Sequence, residues 1–553
     1  TAGPTINRFF DAYCVYRGYT MYSTDCSQAF LNSPTKRDIF VRPPPGLNMG
    51  GMVWRLKKHL YGLCSAPAAW MATLTKALEK LDFKAFADDP CFLRRVDEDG
   101  DEIVVEVFVD DIKWGGKDPE KIKDVINKLS NYGKPKPPHS FAITFEDRLT
   151  TYLGMLYKHT KSVDGKHDVL TVNQTAYVET MIKRFDMEDG EEIPSPIKHT
   201  PLPTFSHVEE LQKKMEAGIN SEGYKWLPAW AAKHTFPTIV GSLIHAMVHT
   251  RPDISHAVAI LSRGMSSPEL WMWRAAHHLL CFLKHTKEVG LTYDQAAMIK
   301  HAERVERSNP TDTASRLVTA AYNEEESVLA EDGKRMPVDD WLNTQPADTH
   351  FDPDKVYYDK HLEAAVDSSF ADCIKTYRST SGFVVWFGGA AIDWECKRQK
   401  LVTLSTMEAE YVAAAKCVCS IRFLKKLIDF VEMDKGTTKV HEDNSACVAV
   451  STKPVHRSRS KHIGTKYHVV REASAKGELE LVQVWTEHQT ADFFTKSLPR
   501  DKFERFQSTL LGKTTFLEMQ QMYPKPQVQN VVNGVLRCEK YRTSYAPESR
   551  KGS

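Results

Sequence analysis

Two groups of acidic residues constrain this chain more than any other feature. Asp25 and the pair Asp110-Asp111 make one group; Asp367, Glu408, Asp443 and Asp492 make the other. Carboxylates that converge repel one another, so a fold that gathers several offsets them with a cation. Hard oxygen donors with little Cys or His nearby favour Mg²⁺ or Mn²⁺. Two such centres on one chain point to two phosphoryl-transfer activities working on one substrate.

The chain has 553 residues, enough for two to four domains. Its 42% hydrophobic and 26% charged residues are those of an ordinary soluble protein. The net charge of +1 lacks the positive excess common in nucleic-acid binders. The charge is uneven, however. Lys453 to Arg471 holds six Lys or Arg and no acid, whereas from Ala296 to Tyr358 acids outnumber bases by about two to one. Eleven cysteines include no CxxC pair and no zinc spacing, which fits reduced thiols in an intracellular protein. No secretory signal and no run of the roughly 18 apolar residues a span needs is present, so no membrane is expected. The first residue is Thr, so the chain reads as a piece of something longer.

Local patterns place the acids. Met21 to Asn32 reads as a strand entering a helix, and Pro43-Pro44-Pro45-Gly46 as loop punctuation. Ala66 to Phe83 has helical periodicity. Ile103 to Val109 is a strand, Asp110-Asp111 an acidic turn, and Ile112 to Trp114 the returning strand. Tyr152 to Tyr157 is another strand; Gln174 to Phe185 and Pro237 to His285 are mostly helical. Ala296 to Tyr358 is broken by Pro310, Pro337, Pro346 and Pro353 and is expected to be irregular. Strands at Leu362 to Val366, Gly382 to Phe387 and Ala391 to Lys397 precede a helix over Thr406 to Phe430. Strands at Lys439 to Glu442 and Glu478 to Trp485 and a helix over Thr490 to Leu498 complete an α/β layer pattern. After Lys513 a polar tail is expected.

Nucleotidyl transfer has an attacking hydroxyl and a departing pyrophosphate, and two divalent ions about 3.5–4 Å apart can stabilise both oxygens. Asp25 ends one strand and Asp110 sits in a hairpin turn, so strand pairing would bring them together. Asp is common in turns, and the hairpin alone carries little. Its neighbours carry more. Phe108-Val109-Asp110-Asp111 resembles the aromatic-x-Asp-Asp turn of reverse transcriptases. Thr24-Asp25-Cys26-Ser27-Gln28-Ala29-Phe30-Leu31-Asn32 resembles that family's first palm motif. Leu60-Tyr61-Gly62-Leu63-Cys64-Ser65-Ala66-Pro67-Ala68-Ala69-Trp70 resembles the template-positioning motif of its copia-type branch. The resemblance runs through Tyr152-Leu153-Gly154, Val240-Gly241-Ser242-Leu243 and Thr250-Arg251-Pro252-Asp253-Ile254, over most of residues 10–294. It implies that Asp25 and Asp110 are the main metal ligands and Asp111 a supporting one. It makes Phe30 an aromatic gate against a 2′-hydroxyl, and Gly62 a place where backbone nears the incoming nucleotide. The chain departs from the pattern at Cys64-Ser65, usually Lys-Gln, and at Ala68, usually Arg. The family's fingers segment would precede Thr1.

The second group sits in flanks that resemble the ribonuclease H domain of copia-type elements, over about residues 362–500. These are Asp367-Ser368-Ser369-Phe370-Ala371-Asp372, Arg378-Ser379-Thr380-Ser381-Gly382, Leu404-Ser405-Thr406-Met407-Glu408-Ala409-Glu410-Tyr411, Glu442-Asp443-Asn444-Ser445-Ala446, Lys461-His462-Ile463 and Thr490-Ala491-Asp492-Phe493-Phe494-Thr495-Lys496. The resemblance makes Asp367, Glu408, Asp443 and Asp492 metal ligands. Glu410 is the rival to Glu408; two apart on a helix, they face different sides, so only one can serve. The first of the pair, Glu408, is taken as the ligand. Lys453, Arg457, Arg459, Lys461, Lys466 and Arg471 are a candidate surface for tracking a nucleic-acid backbone. His462 and His468 are read first as surface or packing residues, with leaving-group protonation as the alternative; His488 lies near Asp492 but does not match the usual ribonuclease H histidine.

The expected fold is thus α/β and α+β multidomain. A reverse-transcriptase palm with partial fingers (1–158) is followed by a helical thumb or connection region (159–294) and the acidic insert (295–358). A ribonuclease H-like α/β domain (359–500) and a C-terminal helix and tail (501–553) complete it. The resemblance implies an intracellular, copia-type long-terminal-repeat retrotransposon Pol fragment, in a cytoplasmic particle or the nucleus. It implies two Mg²⁺ or Mn²⁺ ions per site, with RNA template, DNA primer, RNA–DNA hybrid and dNTPs as partners, and protease and integrase domains upstream. The rivals are a decayed or domesticated nucleic-acid-binding remnant and a chain in which only ribonuclease H works.

Overall fold

A computed structural model describes residues 2–44, 46–47, 51–131, 142–146, 148–188, 227–309, 327–329, 335–337, 357–373, 376–452 and 468–524. It opens with helix α1 (Pro4–Arg17), which starts on a proline and ends on Gly18. Gly18 has φ +67°, so the chain can reverse there without a Cβ clash. Strand β1 (Thr20–Ser27) follows, then β2 (Phe40–Val41), β3 (Trp54–Arg55) and helix α2 (Ala66–Glu79). Strands β4 (Lys84–Ala85), β5 (Phe92–Val96), β6 (Glu102–Phe108) and β7 (Asp111–Gly116), helix α3 (Pro119–Ser130) and β8 (Ala142–Glu146) complete the first unit. Its six-stranded sheet has the order β4-β5-β6-β7-β1-β8, every pairing antiparallel.

The alternation along β7 sends its side chains to two different cores. Ile112 and Trp114 join Trp70, Leu74, Ile122 and Val125 of α2 and α3 on one face. Lys113 and Gly115 face α1. A Cβ on Gly115 would lie 2.3 Å from Cys14 Sγ, so only glycine lets the helix settle there. Lys113 is fully buried, its Nζ 2.7 Å from Asp11 on α1 and 2.8 Å from Glu106 on β6. Tyr157 donates to Asp11 at 3.1 Å, and Asn7 to Glu106 at 3.1 Å.

The middle of the chain holds β9 (Thr151–Tyr152), β10 (Met155–Lys161), β11 (Asp168–Asn173) and helices α4 (Thr175–Arg184), α5 (Leu227–Lys233), α6 (Phe236–His249), α7 (Ser255–Ser262) and α8 (Leu270–His285). Strand β12 (Leu291–Asp294) closes a four-stranded sheet of order β12-β11-β10-β9. Helix α9 (Gln295–Ser308) then occupies the start of the segment expected to be irregular. Asp294 caps it by accepting from the Ala297 N–H at 3.1 Å, and its buried face is only Met298, His301 and Ala302. So thin an apolar stripe explains why the sequence pattern hides it. A short hairpin pairs β13 (Ser327–Leu329) with β14 (Arg335–Pro337).

The second large unit is built on β15 (Tyr358–Cys373), β16 (Arg378–Phe387) and β17 (Ala390–Arg398), an antiparallel meander. Helix α10 (Thr406–Phe430) leads to β18 (Thr437–Glu442), parallel to β15; helices α11 (Ser445–Thr452) and α12 (His468–Ala475) lead to β19 (Leu479–Gln483), parallel to β18. The order is β17-β16-β15-β18-β19. Helix α13 (Asp492–Thr495) is shorter than the 490–498 helix expected. Helices α14 (Arg500–Leu510) and α15 (Phe516–Met522) follow. The second of these lies where a polar tail was expected: Thr515 and Glu518 form a capping box, and Phe516 stacks on His441 at 4.0 Å.

Helix α1 joins the two units. Arg8 donates to the Ile392 carbonyl at 2.6 Å and lies 3.8 Å over the Trp394 ring; Phe9 meets Phe387 at 5.5 Å. One apolar cluster runs from α1 through the middle region to the second sheet. Among the described residues no helix is long and apolar enough to cross a membrane.

Two stability consequences follow from buried cations. Lys113→Met removes the one cation among the described residues that touches both Asp11 and Glu106, so denaturant unfolding should show a loss of about 3–5 kcal/mol. Lys425 is different: burial pushes its ammonium down to about 8 from 10.5 while it donates to the Gly436 carbonyl. The folded form therefore holds fewer protons than the unfolded one between those two values, and this group makes stability rise with pH across that window. Lys425→Met should flatten that rise and add on the order of 3 kcal/mol at pH 7, read from unfolding curves at several pH values.

Candidate functional sites

The first acidic group sits at one end of the β1–β7 ladder. Asp25 lies directly opposite Asp111, and the Cys26 N–H donates to the Asp110 carbonyl at 2.9 Å. That bond makes Asp25 and Asp111 a non-hydrogen-bonded pair, the kind whose side chains stand closest. Val109 and Asp110 form the two-residue turn between β6 and β7. Val109 has φ +60°, an outlier for a β-branched residue. The buried Trp70 of α2 donates its indole N–H to the Val109 carbonyl at 2.5 Å, so the helix pins the strained turn. Burial raises the Asp25 carboxyl above its usual range, and Asp110 adds to the shift.

A cleft of about 300 Å³ opens beside the pair, lined by Ser23, Thr24, Asp25, Asp111, Thr144 and Tyr152 among others. Phe30 is buried and packs on Tyr61 at 4.6 Å. Tyr61 is exposed, and after burial the largest influences raising its hydroxyl are Asp110 and Asp25. It is a neighbour of the site that the sequence offers only as one letter of a motif. Gly62 has φ +97°, and a Cβ there would meet nothing within 4 Å. The first group is open: its three carboxylates do not form a set whose oxygens all lie within 4.8 Å.

The second group is tighter. Strands β15 and β18 run parallel with Ala365 beside His441. Two residues further along each lie Asp367 and Asp443. Gly382 on β16 lets α13 come close, since a Cβ there would lie 2.5 Å from Phe494. Gln489 ties the same loop down by donating to the Val366 carbonyl at 2.9 Å. Asp492 thereby reaches Asp367 and Asp443, and the three carboxylates offer oxygens within 4.8 Å of one another. Lys496 donates to Asp367 at 3.2 Å and to Asp492 at 2.5 Å; Lys502 donates to Asp492 at 3.0 Å. The Thr495 hydroxyl donates to Asp367. Burial pushes Asp367 up to about 7, opposed by Lys496 and reinforced by Asp492.

The choice of Glu408 does not fit this geometry. Its carboxylate turns back to accept from the Leu404 N–H at 2.7 Å, while Ser405 accepts from the Glu408 N–H at 3.2 Å. Glu408 therefore closes the N-terminus of α10. Glu410 is the residue on the acid side, its oxygens grouped with those of Glu442 and Asp443. Burial first, then Asp367, Glu442 and Asp443, push Glu410 up to about 11. Glu442 is fully buried and was not foreseen; the only signal was an acid at the last position of a strand, beside Asp443.

Of the basic stretch, Lys453, Arg457, Arg459, Lys461 and Lys466 lie outside the described residues, as does His462. Arg471 is on α12 and donates to the Val450 carbonyl at 3.4 Å. His488 is buried and paired with the Tyr523 carbonyl, a packing role.

Residues 5–199 match the family described as reverse transcriptase (RNA-dependent DNA polymerase). Over most of its length the chain resembles copia-type retrotransposon Pol polyproteins. It is 26% identical to the Pol polyprotein from transposon TNT 1-94 of Nicotiana tabacum, over 87% of this chain and 30% of the relative. It is 25% identical to that of transposon RE1 of Arabidopsis thaliana, over 90% and 28%. With the Ty1-BR Gag-Pol polyprotein of Saccharomyces cerevisiae it shares 21%, over 88% and 23%. The chain thus spans less than a third of the length of these relatives. A solved RNase H1 isolated from compost by a metagenomic approach aligns with 29% of this chain and 97% of its own, at 13% identity and a TM-score of 0.19.

The two glutamates of α10 can be told apart by melting. Glu408→Ala should cost about 1 kcal/mol and leave any Mn²⁺-induced rise in Tm intact. Glu410→Gln should keep the metal-free Tm at least as high as the parent and shrink that rise.

Proposed function

We propose that the chain joins an RNA-directed DNA polymerase to a ribonuclease that cuts the RNA strand of an RNA–DNA hybrid, as parts of a copia-type Pol polyprotein. In this reading the six-stranded sheet with α2 and α3 is the polymerase palm, and β9 to β12 with α4 to α8 the thumb or connection. The second sheet is the ribonuclease H unit. The observation that carries it is the gathering of carboxylates from β15, the end of β18 and α13, on a chain whose first third matches the reverse transcriptase family. The donors fit hard divalent cations: all are carboxylate oxygens, and one oxygen each of Glu410 and Glu442 is buried without a hydrogen-bond partner.

In the first site Asp25, Asp110 and Asp111 would hold two Mg²⁺ or Mn²⁺ ions, and in the second Asp367, Glu410, Asp443 and Asp492. Bound ions of this kind stabilise the attacking and leaving oxygens of phosphoryl transfer. The chain's own residues supply the rest. Trp70 holds the Asp110 turn in place through the Val109 carbonyl. The Phe30–Tyr61 pair forms an aromatic floor beside the acids and would reject a 2′-hydroxyl. Lys496 and Lys502 orient Asp367 and Asp492. Lys453, Arg457, Arg459, Lys461, Lys466 and Arg471 would track the duplex backbone. The partners are RNA template, DNA primer, hybrid and dNTPs, with protease and integrase elsewhere in the polyprotein. The setting is a cytoplasmic particle or the nucleus. A second reading, ribonuclease activity alone, is favoured by one contrast: Asp367, Asp443 and Asp492 of the second group offer oxygens within 4.8 Å of one another, and Asp25, Asp110 and Asp111 are not such a set.

Single variants of the full chain separate these readings. Asp110→Asn should reduce primer extension by about 1,000-fold or more while sparing hybrid cleavage, and Asp443→Asn the reverse. Equal loss of both activities in both variants would refute the two-site reading. Hybrid cleavage without any primer extension in the parent would select the ribonuclease alone. A parent inactive in both assays with Mg²⁺ and Mn²⁺ would make the chain a non-catalytic remnant.

A further inference from the structure

The carboxylates of the second unit fall into two pockets that share one residue. Asp367, Asp443 and Asp492 form the first; Glu410, Glu442 and Asp443 form the second, and in each the oxygens lie within 4.8 Å of one another. The pockets differ in what offsets their charge. Lys496 reaches Asp367 and Asp492, and Lys502 reaches Asp492, so the first pocket carries its own ammonium groups. Among the described residues, Glu410 and Glu442 have no ammonium or guanidinium within salt-bridge distance. Glu410 is 6% exposed and Glu442 0%. Oε2 of each is buried with no hydrogen-bond partner. Glu442 is held in place through its other oxygen, which accepts from the Asn444 N–H at 2.9 Å.

Adjacent residues on a strand normally point to opposite faces. Glu442 is the last residue of β18, and Asp443 lies just beyond it. Leaving the strand there allows both carboxylates to reach one pocket. Two buried carboxylate oxygens without a hydrogen-bond partner, in side chains grouped within 4.8 Å, cost stability. They are also the donor set that a hard divalent cation requires.

We propose that Glu442 is a metal ligand. Together with Glu410 and Asp443 it holds one divalent cation of the Mg²⁺ or Mn²⁺ class, and Asp443 bridges that ion to the pocket formed with Asp367 and Asp492. The proposal deepens the ribonuclease reading and rests on it. It adds a fifth carboxylate to the four taken as ligands there. It also explains why an acid stands at a fully buried strand end where an apolar residue would pack without penalty.

Direct Mn²⁺ binding tests this in the full chain carrying Asp25→Asn and Asp110→Asn, which disarm the first site. Electron paramagnetic resonance titration should count two bound ions. Adding Glu442→Gln should leave one, with the other weakened at least roughly tenfold, the least that loss of even an outer partner costs. Glu442→Asp keeps the charge on a shorter arm and should fall between the two. The metal-free Tm of the Gln variant should be no lower than that of its parent, since a repulsion is removed. Two ions at unchanged affinity in the Gln variant would overturn the proposal and make Glu442 a proton-sharing structural acid. One ion in both parent and variant would overturn it as well and leave the ribonuclease reading standing. No bound ion in the parent would instead sink the metal-dependent reading itself.

Discussion

Asp11 and Glu106 are buried carboxylates that share one buried ammonium, and the arrangement of the whole molecule depends on that contact. Lys113 projects from β7 on the face away from α2 and α3, and it is met there by Asp11 at the middle of α1. Removing three charges from water is expensive unless they satisfy one another. Here Tyr157 and Asn7 supply the remaining hydrogen bonds. The result fixes α1 on the first sheet. The same helix also offers Arg8 and Phe9 to β16 and β17. Further contacts reinforce the join: Arg94 links Glu102 to Glu432, and Phe430 packs on Phe92 at 5.9 Å. A helix near the start of the chain therefore joins two sheets in one continuous core, which no reading of local periodicity can detect.

The two acidic groups solve the same electrostatic problem differently. In the first, Asp25 is exposed, so water screens much of its repulsion with Asp110. Its precision comes from the backbone: a paired register, a two-residue turn with a strained Val109, and an indole that holds the turn's carbonyl. In the second, the carboxylates other than the half-buried Asp443 are buried, and the repulsion has to be met by ammonium groups or by bound cations. Lys496 and Lys502 meet part of it. The open group is easily reached by a large substrate, and the closed one holds its donors more rigidly.

Much of this was legible from the sequence. The acidic hairpin, the three-strand meander, the long helix and the order of the last two strands all follow from period-two alternation, turn residues and helical spacing. Asp25 lies opposite Asp111 in a strand pairing, and Asp367 and Asp443 at neighbouring strands meet Asp492 at the start of a helix. The differences are equally physical. Glu408 and Glu410 are equivalent in spacing arguments, and only the direction of the chain before α10 shows that Glu408 is needed to close the helix. Helix α9 was missed because three small contacts bury it, and α15 because its single large anchor, Phe516, docks on a residue far away in sequence, His441. Glu442 was invisible because burial of a strand-end acid depends on tertiary packing.

A chain that can neutralise buried carboxylates with its own side chains makes the exceptions informative. Around α1, each buried acid has a cation within contact: Asp11 and Glu106 have Lys113, and Glu102 has Arg94. Around α13, Asp367 and Asp492 have Lys496. Glu410 and Glu442 have no such cation among the described residues, although both are buried. Folding stability gives no reason to keep them, because a methionine or glutamine at either place would remove a repulsion and an unsatisfied oxygen. Local rules are broken without internal compensation mainly where function supplies the missing partner. The partner that matches two buried carboxylates grouped with a third is a small, hard, doubly charged cation.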